Sequence, residues 1–314
     1  FPLKNAVRSP IVTVMLTEAP PSIAKPLSRR EIEERITRCC RLPSLRSIDT
    51  ALRDLLNADQ RYTSQISEII RRDPSLSARL LRLVNSVYYG LTTPVTSIEE
   101  AVFYLGVRQI RQLAMVTPVI EDFQKITGKT AFAWRLFWQH CIGTAILTRE
   151  VLSCIETPSH ELDYLAGLLH DVGKIVIAAA FPEHFHAIYS NSEAPASPQV
   201  EESLLGMNHA EIGAIYLKNH NLPGVLIEST RFHHEPHLAK ADVGIVAAVQ
   251  IADLLVRHAG IGSTVNDQTI EEKDWLESTG WNILFPGDVQ ESSFARANLK
   301  RSLERLPSIL EGLV

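Results

Sequence analysis

Apolar residues recur along this chain mostly at spacings of three and four, the period of helices that bury one face. Ser28-Arg-Arg-Glu-Ile opens the first such stretch, predicted to run to about Arg41 before Leu42-Pro43 stops it. Ile48, Leu52, Leu55 and Leu56 share one face of the next, and Ile66, Ile69 and Ile70 one face of the segment 65–72. Asp73-Pro74 supplies an N-cap and a first-turn proline for a helix over 75–87, with Leu76, Leu80, Leu83 and Val84 as its core stripe. Asn85-Ser-Val-Tyr-Tyr-Gly90 reads as a helix end closed by glycine. Ser97-Ile-Glu-Glu100 then forms a capping box for a helix through Leu105, and Gly106 breaks before 107–116.

The second half continues in the same way. Phe132–Leu152 is predicted as a long helix that carries His140 on a stripe with Leu136, Phe137 and Leu147. Leu165 to Ala180 reads as one apolar helix containing His170-Asp171 and Gly173-Lys174, and Pro182 follows it. After a polar loop over 190–198, His209 opens a helix to Asn219. Val225–Phe232 leads into His233-His234-Glu235-Pro236, and Val243–His258 carries Asp253. The last fifty residues include Trp275, Trp281 and a helical spacing of Leu299, Leu303 and Leu306, which reads as an extension packing onto the rest. Residues 1–28, rich in proline, read as a loose arm, with Ile11–Leu16 as a short docking segment or strand.

Composition narrows the class. The chain's 314 residues suffice for one large domain or two ordinary ones, and the 45% hydrophobic, 21% charged make-up is that of a globular protein. A net charge of −5 without any basic block argues against nucleic-acid coating or membrane-surface binding. Few glycines and many Leu, Ala, Glu and Arg lean towards helix. Cys39, Cys40, Cys141 and Cys154 form no C-x-x-C clip, the usage of a reducing cytoplasm. The apolar run near the start is too short for a signal peptide or a membrane span.

The candidate chemistry centres on His170-Asp171. Neighbouring side chains on a helix diverge by roughly 100°, so both can turn to one ion beside it. Imidazole with carboxylate suits Fe, Mn or Zn better than Mg. Alone, the dipeptide is better read as a buried structural pair. His140, His209, His233, His234 and Asp253, on four further predicted elements, change that balance. The remaining histidines, His160, His184, His186, His220, His237 and His258, fall outside the pattern and are expected on the surface or in loops.

Two stretches resemble the HDOD family, a bacterial signalling-output module of the HD superfamily. They are Arg72-Asp-Pro-Ser-Leu-Ser-Ala-Arg-Leu-Leu-Arg-Leu-Val-Asn-Ser-Val-Tyr-Tyr-Gly90 and Pro94-Val-Thr-Ser-Ile-Glu-Glu-Ala-Val-Phe-Tyr-Leu-Gly106 with Arg108. The resemblance runs from about Leu42 to Gly260 and implies an all-α fold. The organisation read from it is an arm over 1–28, an N-terminal helical subdomain over 29–127, an HD-like subdomain over 128–262 and a helical extension over 263–314.

HD-superfamily phosphohydrolases carry His, then His-Asp, then further His, then a distant Asp, in the order seen here. By that resemblance His140, His170, Asp171 and Asp253 form one metal position, and Asp171, His209, His233 and His234 a second. The cofactor implied is one or two divalent transition-metal ions. Asp171 would bridge, and Lys174 would offset charge on a substrate phosphate. The related HD-GYP phosphodiesterases continue from His-His-Glu to an Asp-Gly pair and a downstream Gly-Tyr-Pro loop. This chain instead has Glu235-Pro-His-Leu-Ala-Lys-Ala and no Gly-Tyr-Pro, which argues against hydrolysis of cyclic di-GMP. The resemblance implies a cytoplasmic regulatory module acting through a signalling protein partner or a nucleotide ligand. A metal-dependent nucleotide phosphohydrolase is the alternative. Neither membrane nor nucleic acid is an expected partner.

Overall fold

Ser28 and Glu31 cap each other: the Glu31 backbone N–H reaches the Ser28 hydroxyl, and the Glu31 carboxylate takes the Ser28 N–H at 2.9 Å. This box starts α1 (Arg29–Arg38), which buries Ile32 and Ile36. The computed structural model describes residues 25–39, 63–72, 74–85, 91, 93–106, 110, 133–155, 162–189, 196–262, 270–287 and 289–311. The segments predicted at 11–16 and 47–56, all of 107–116 except Ile110, and Asp73, Cys40, Gly90, Gly128 and His160 lie outside them.

The described residues are helical with no strand, so the fold is all-α. In the first half, α2 (Thr63–Arg71), α3 (Pro74–Val84) and α4 (98–106) enclose a cluster of Ile66, Ile70, Leu80, Val84, Val95, Ile98, Val102 and Leu105. Asn85 staples the loop that precedes α4. Its side-chain amide donates to the Val95 carbonyl at 2.8 Å and its oxygen accepts the Val95 N–H at 2.6 Å. Gly106 ends α4 at a φ of +70°, a left-handed stop that glycine takes without strain.

A larger core belongs to the second half. Its elements are α5 (Trp134–Ser153), α6 (Asp163–Leu169), α7 (Val172–Ala180), α8 (Pro182–Tyr189), α9 (Pro198–Leu205), α10 (His209–Asn219) and α11 (Gly224–Phe232). A 3₁₀ turn at Pro236–Leu238, α12 (Val243–His258), α13 (Glu272–Leu276), α14 (Thr279–Leu284) and α15 (Val289–Glu311) complete it. The α12 helix is apolar almost all round and lies buried along α5, where a helix with no polar face belongs. The last three helices close over the same core: Trp275 and Trp281 meet edge to face, and Leu299, Leu306 and Leu310 are buried in it.

The α1 helix also packs here, on α10 and α7, with Ile32 and Ile36 in the second-half core although they precede the first-half helices in sequence. Among the described residues no single helix is long and apolar enough to cross a membrane. His184 departs from the expectation of a surface residue: it is buried on α8, where its Nε2 meets the Lys25 carbonyl at 3.3 Å.

Candidate metal centre

The stretch predicted as one apolar helix is two. α6 stops at Leu169, the pair His170-Asp171 makes a turn, and α7 begins at Val172. Lys174 N–H bonds to the Asp171 carbonyl at 3.0 Å, a tighter turn than the α-helical one. Asp171 occupies the N-cap of α7, yet its carboxylate makes no capping bond and is free to turn inward.

What stands opposite is decided by two glycines. A Cβ on Gly173 would lie 1.8 Å from the His209 carbonyl oxygen, and one on Gly213 would lie 2.9 Å from Gly173 N. With hydrogen in both places, α7 and α10 cross backbone to backbone. That crossing brings His209, started by the Asn208 N-cap, to Asp171.

All the predicted ligand residues converge. The ligand atoms of His140, His170 and Asp253 lie within 4.8 Å of one another, as do those of His209, His233 and His234, and those of His170, Asp171 and His233. Asp171 stands between the first two trios, one oxygen towards each. Its Oδ2 is 3.6 Å from His140 Nε2 and 3.5 Å from His170 Nε2. Its Oδ1 is 3.1 Å from His209 Nε2 and 3.9 Å from His233 Nε2. His140 Nε2 also sits 3.2 Å from Asp253 Oδ1. Lys174 Nζ donates to Asp171 Oδ2 at 2.5 Å and remains partly exposed at the edge of the cluster.

The histidines are oriented from behind. His170 Nδ1 donates to the Gly167 carbonyl at 2.7 Å and His233 Nδ1 to the Thr230 carbonyl at 2.8 Å. A carbonyl only accepts, so each ring keeps its Nε2 lone pair facing inward. His209 Nδ1 is held by Glu201 at 2.7 Å. Gln250 fixes the loop at His234: its amide donates to the His234 carbonyl at 2.7 Å, and its oxygen takes Gly280 N–H at 2.7 Å.

Burial and neighbouring charge set the protonation states. Burial disfavours ionised Asp171, but the Lys174 ammonium, His170 and His209 override it and hold the carboxyl well below its usual range. Asp253 is likewise held low against burial by the His140 hydrogen bond and Arg257. Burial pushes His170 down and His233 well down, and takes His234 to about 3. His209 runs the other way: burial opposes its charge, but Glu201 wins and raises it to about 9.

These residues fit a metal. His233 Nε2 is buried without a hydrogen-bond partner, an arrangement that costs roughly 1–3 kcal/mol unless something takes the lone pair. Its lone pair points into a cluster of imidazole nitrogens and carboxylate oxygens, the donor set of a first-row transition metal.

The HDOD domain profile matches residues 42–236, well over half of the sequence. The chain belongs to the HDOD family. A protein of Treponema pallidum (strain Nichols), itself uncharacterized, is 29% identical over 226 residues, 69% of this chain and 43% of that relative. The chain thus spans less than half the length of that relative. An HDOD domain protein of unknown function from Geobacter sulfurreducens superposes with a TM-score of 0.74 at 23% identity, covering 90% of this chain and 97% of the other. A protein of Shewanella amazonensis SB2B provisionally named a phosphohydrolase gives 0.67 at 24%, covering 90% and 98%. At such identities both likenesses speak to the fold.

Sequence reasoning missed Glu201, Tyr189, Thr230 and Gln250, which orient the HDOD cluster's histidines or loops. Glu201 sits beside Glu202, and nothing local separates the buried carboxylate from the exposed one.

Proposed function

We propose that this HDOD chain holds two transition-metal ions in its His/Asp centre and hydrolyses a phosphate ester of the nucleotide class. One observation carries the reading: the two oxygens of Asp171 face two different ligand trios. His140, His170 and Asp253 with Asp171 Oδ2 would hold one ion; His209, His233 and His234 with Asp171 Oδ1 would hold the other. Four protein ligands fill a tetrahedral Zn position but leave places open on Fe or Mn, so an active centre favours the latter pair. Bound there, the ions supply Lewis acidity towards a phosphoryl group.

The chain's own groups do the rest. Asp171 fixes the spacing of the two positions. Lys174, paired with Asp171 and partly exposed, places a positive charge where a phosphate oxygen would enter. The neutral His170, His233 and His234 offer lone pairs without first losing protons.

A second reading, a regulatory module with structural metal that binds a signalling protein or a nucleotide, draws on the burial of the ligands. His170, Asp171, His209 and His233 are each at most 2% exposed. Elemental analysis of protein purified without added metal or chelator separates the readings, run beside a His170→Ala/Asp171→Ala variant. Two equivalents of Fe or Mn, lost in the variant, with turnover of bis(p-nitrophenyl) phosphate, is the expected result. Metal without turnover of this ester or of nucleotide phosphoesters favours the regulatory module. Less than a tenth of an equivalent, unchanged after adding metals back, sinks both metal claims.

A further inference from the structure

The two trios differ in how their negative charge is supplied. One includes a carboxylate of its own, Asp253; the other is three histidines, His209, His233 and His234. Beyond the shared Asp171, that second position has no anionic ligand among the described residues. A divalent ion bound by neutral imidazoles in a buried site keeps most of its charge uncompensated.

Glu201 stands directly behind it. The residue is 1% exposed. Its Oε2 accepts both the His209 backbone N–H at 2.6 Å and the ring Nδ1–H at 2.7 Å, and its Oε1 accepts the Tyr189 hydroxyl at 2.5 Å. His170 and His233 have only neutral carbonyls in the equivalent place. A carboxylate behind an imidazole draws on the Nδ1 proton and makes Nε2 a stronger donor to an ion; a peptide carbonyl does so far less.

The fold holds Glu201 in place from both ends of α9. Ser197 caps the start, with Pro198 in the first turn, and Gly206 ends the helix at a φ of +98°. A Cβ on Gly206 would lie 2.4 Å from the Leu27 carbonyl oxygen, and Leu27 N–H bonds to the Leu205 carbonyl at 2.9 Å. The segment 25–28 therefore clamps the C-terminal end of the helix that carries the carboxylate.

We propose that Glu201 is a positioning residue that supplies, through His209, the negative charge the three-histidine position lacks, so that occupancy of this position depends on it. This rests on the two-ion reading above. Glu201 touches neither ion nor substrate; it acts through the imidazole.

The test is a titration of chelator-stripped protein with Mn(II), followed by the paramagnetic signal of the free ion. Wild-type protein takes up two equivalents. In Glu201→Gln, which keeps the shape and removes the charge, one binding step weakens about 10–100-fold and the other holds. Asp253→Asn weakens the other step instead. Two unchanged steps in Glu201→Gln, or two equally weakened ones, overturn the proposal. Should Glu201→Gln fail to fold, the Zn(II)-loaded wild type decides by proton NMR. The His209 Nδ1 proton must resonate downfield of those of His170 and His233, and coincidence of the three overturns the proposal. Wild-type protein that takes up no ion removes the two-ion reading itself, so the two failures are distinct.

Discussion

Gly173→Ala tests the idea that the centre is assembled by a backbone-to-backbone helix crossing. The added Cβ would meet the His209 carbonyl oxygen at 1.8 Å, the His209 carbonyl carbon at 2.6 Å and Gly213 N at 2.9 Å. These are backbone atoms of α10, so no side chain can rotate out of the way. Real Cβ atoms essentially never come within 3.0 Å of a neighbour, so α7 and α10 must part by more than an ångström at the residue that faces Asp171. Overpacking a close-packed interior costs about 1–3 kcal/mol, and a clash with backbone on both helices places this one at about 3 kcal/mol. In a protein of this size that lowers the Tm by roughly 4–5 °C. The same displacement stretches the 3.1 Å approach of His209 to Asp171 and loosens the site that the trio shares. Circular dichroism melting of the metal-free variant, with elemental analysis of the purified protein, reads both effects. A Tm within about 2 °C of wild type, too small a shift for such a clash, together with a full complement of metal, would refute the reasoning.

Two further outcomes follow from burial. Metal-free protein should be most stable between about pH 6.5 and 7. His170, His233 and His234 are held below the ordinary value of 6.5, so the unfolded chain takes up protons that they refuse, and stability falls as the pH drops below 6.5. His209 is raised to about 9, so its contribution is complete below 6.5 and is lost as the pH climbs through 9. Tm measured across pH 5–9 checks this, and a Tm that keeps rising to pH 9 contradicts the His209 part. Trp275→Ala should destabilise by about 3–5 kcal/mol, because the indole is fully buried in the second-half core. Urea unfolding tests it, and a loss under about 1 kcal/mol would make the last helices an appendage rather than part of that core.

Much of the centre was legible in the residues. His140, His170, Asp171, His209, His233, His234 and Asp253 were readable because their types and order match a superfamily pattern, and the structure brings all of them into one cluster. The helices were readable because their apolar period is local. The turn at His170-Asp171 was not: apolar residues flank the pair on both sides from Leu165 to Ala180, and nothing in that pattern marks the break between the two helices. Glu201 was not, because its burial depends on His209 and Tyr189, which approach from neighbouring helices. Nor was the place of α1, whose Ile32 and Ile36 would bury equally well against any apolar groove.

The sequence alone therefore determined the all-helical class and singled out the His and Asp residues that cluster, since both are written in side-chain type and in spacings of a few positions. Only the tertiary structure decided which oxygen of Asp171 faces which trio, that Glu201 rather than Glu202 is the buried carboxylate, and how closely α7 and α10 approach. Those outcomes depend on which helix faces meet. That is settled by packing between segments tens of residues apart, where a period of three or four carries no information.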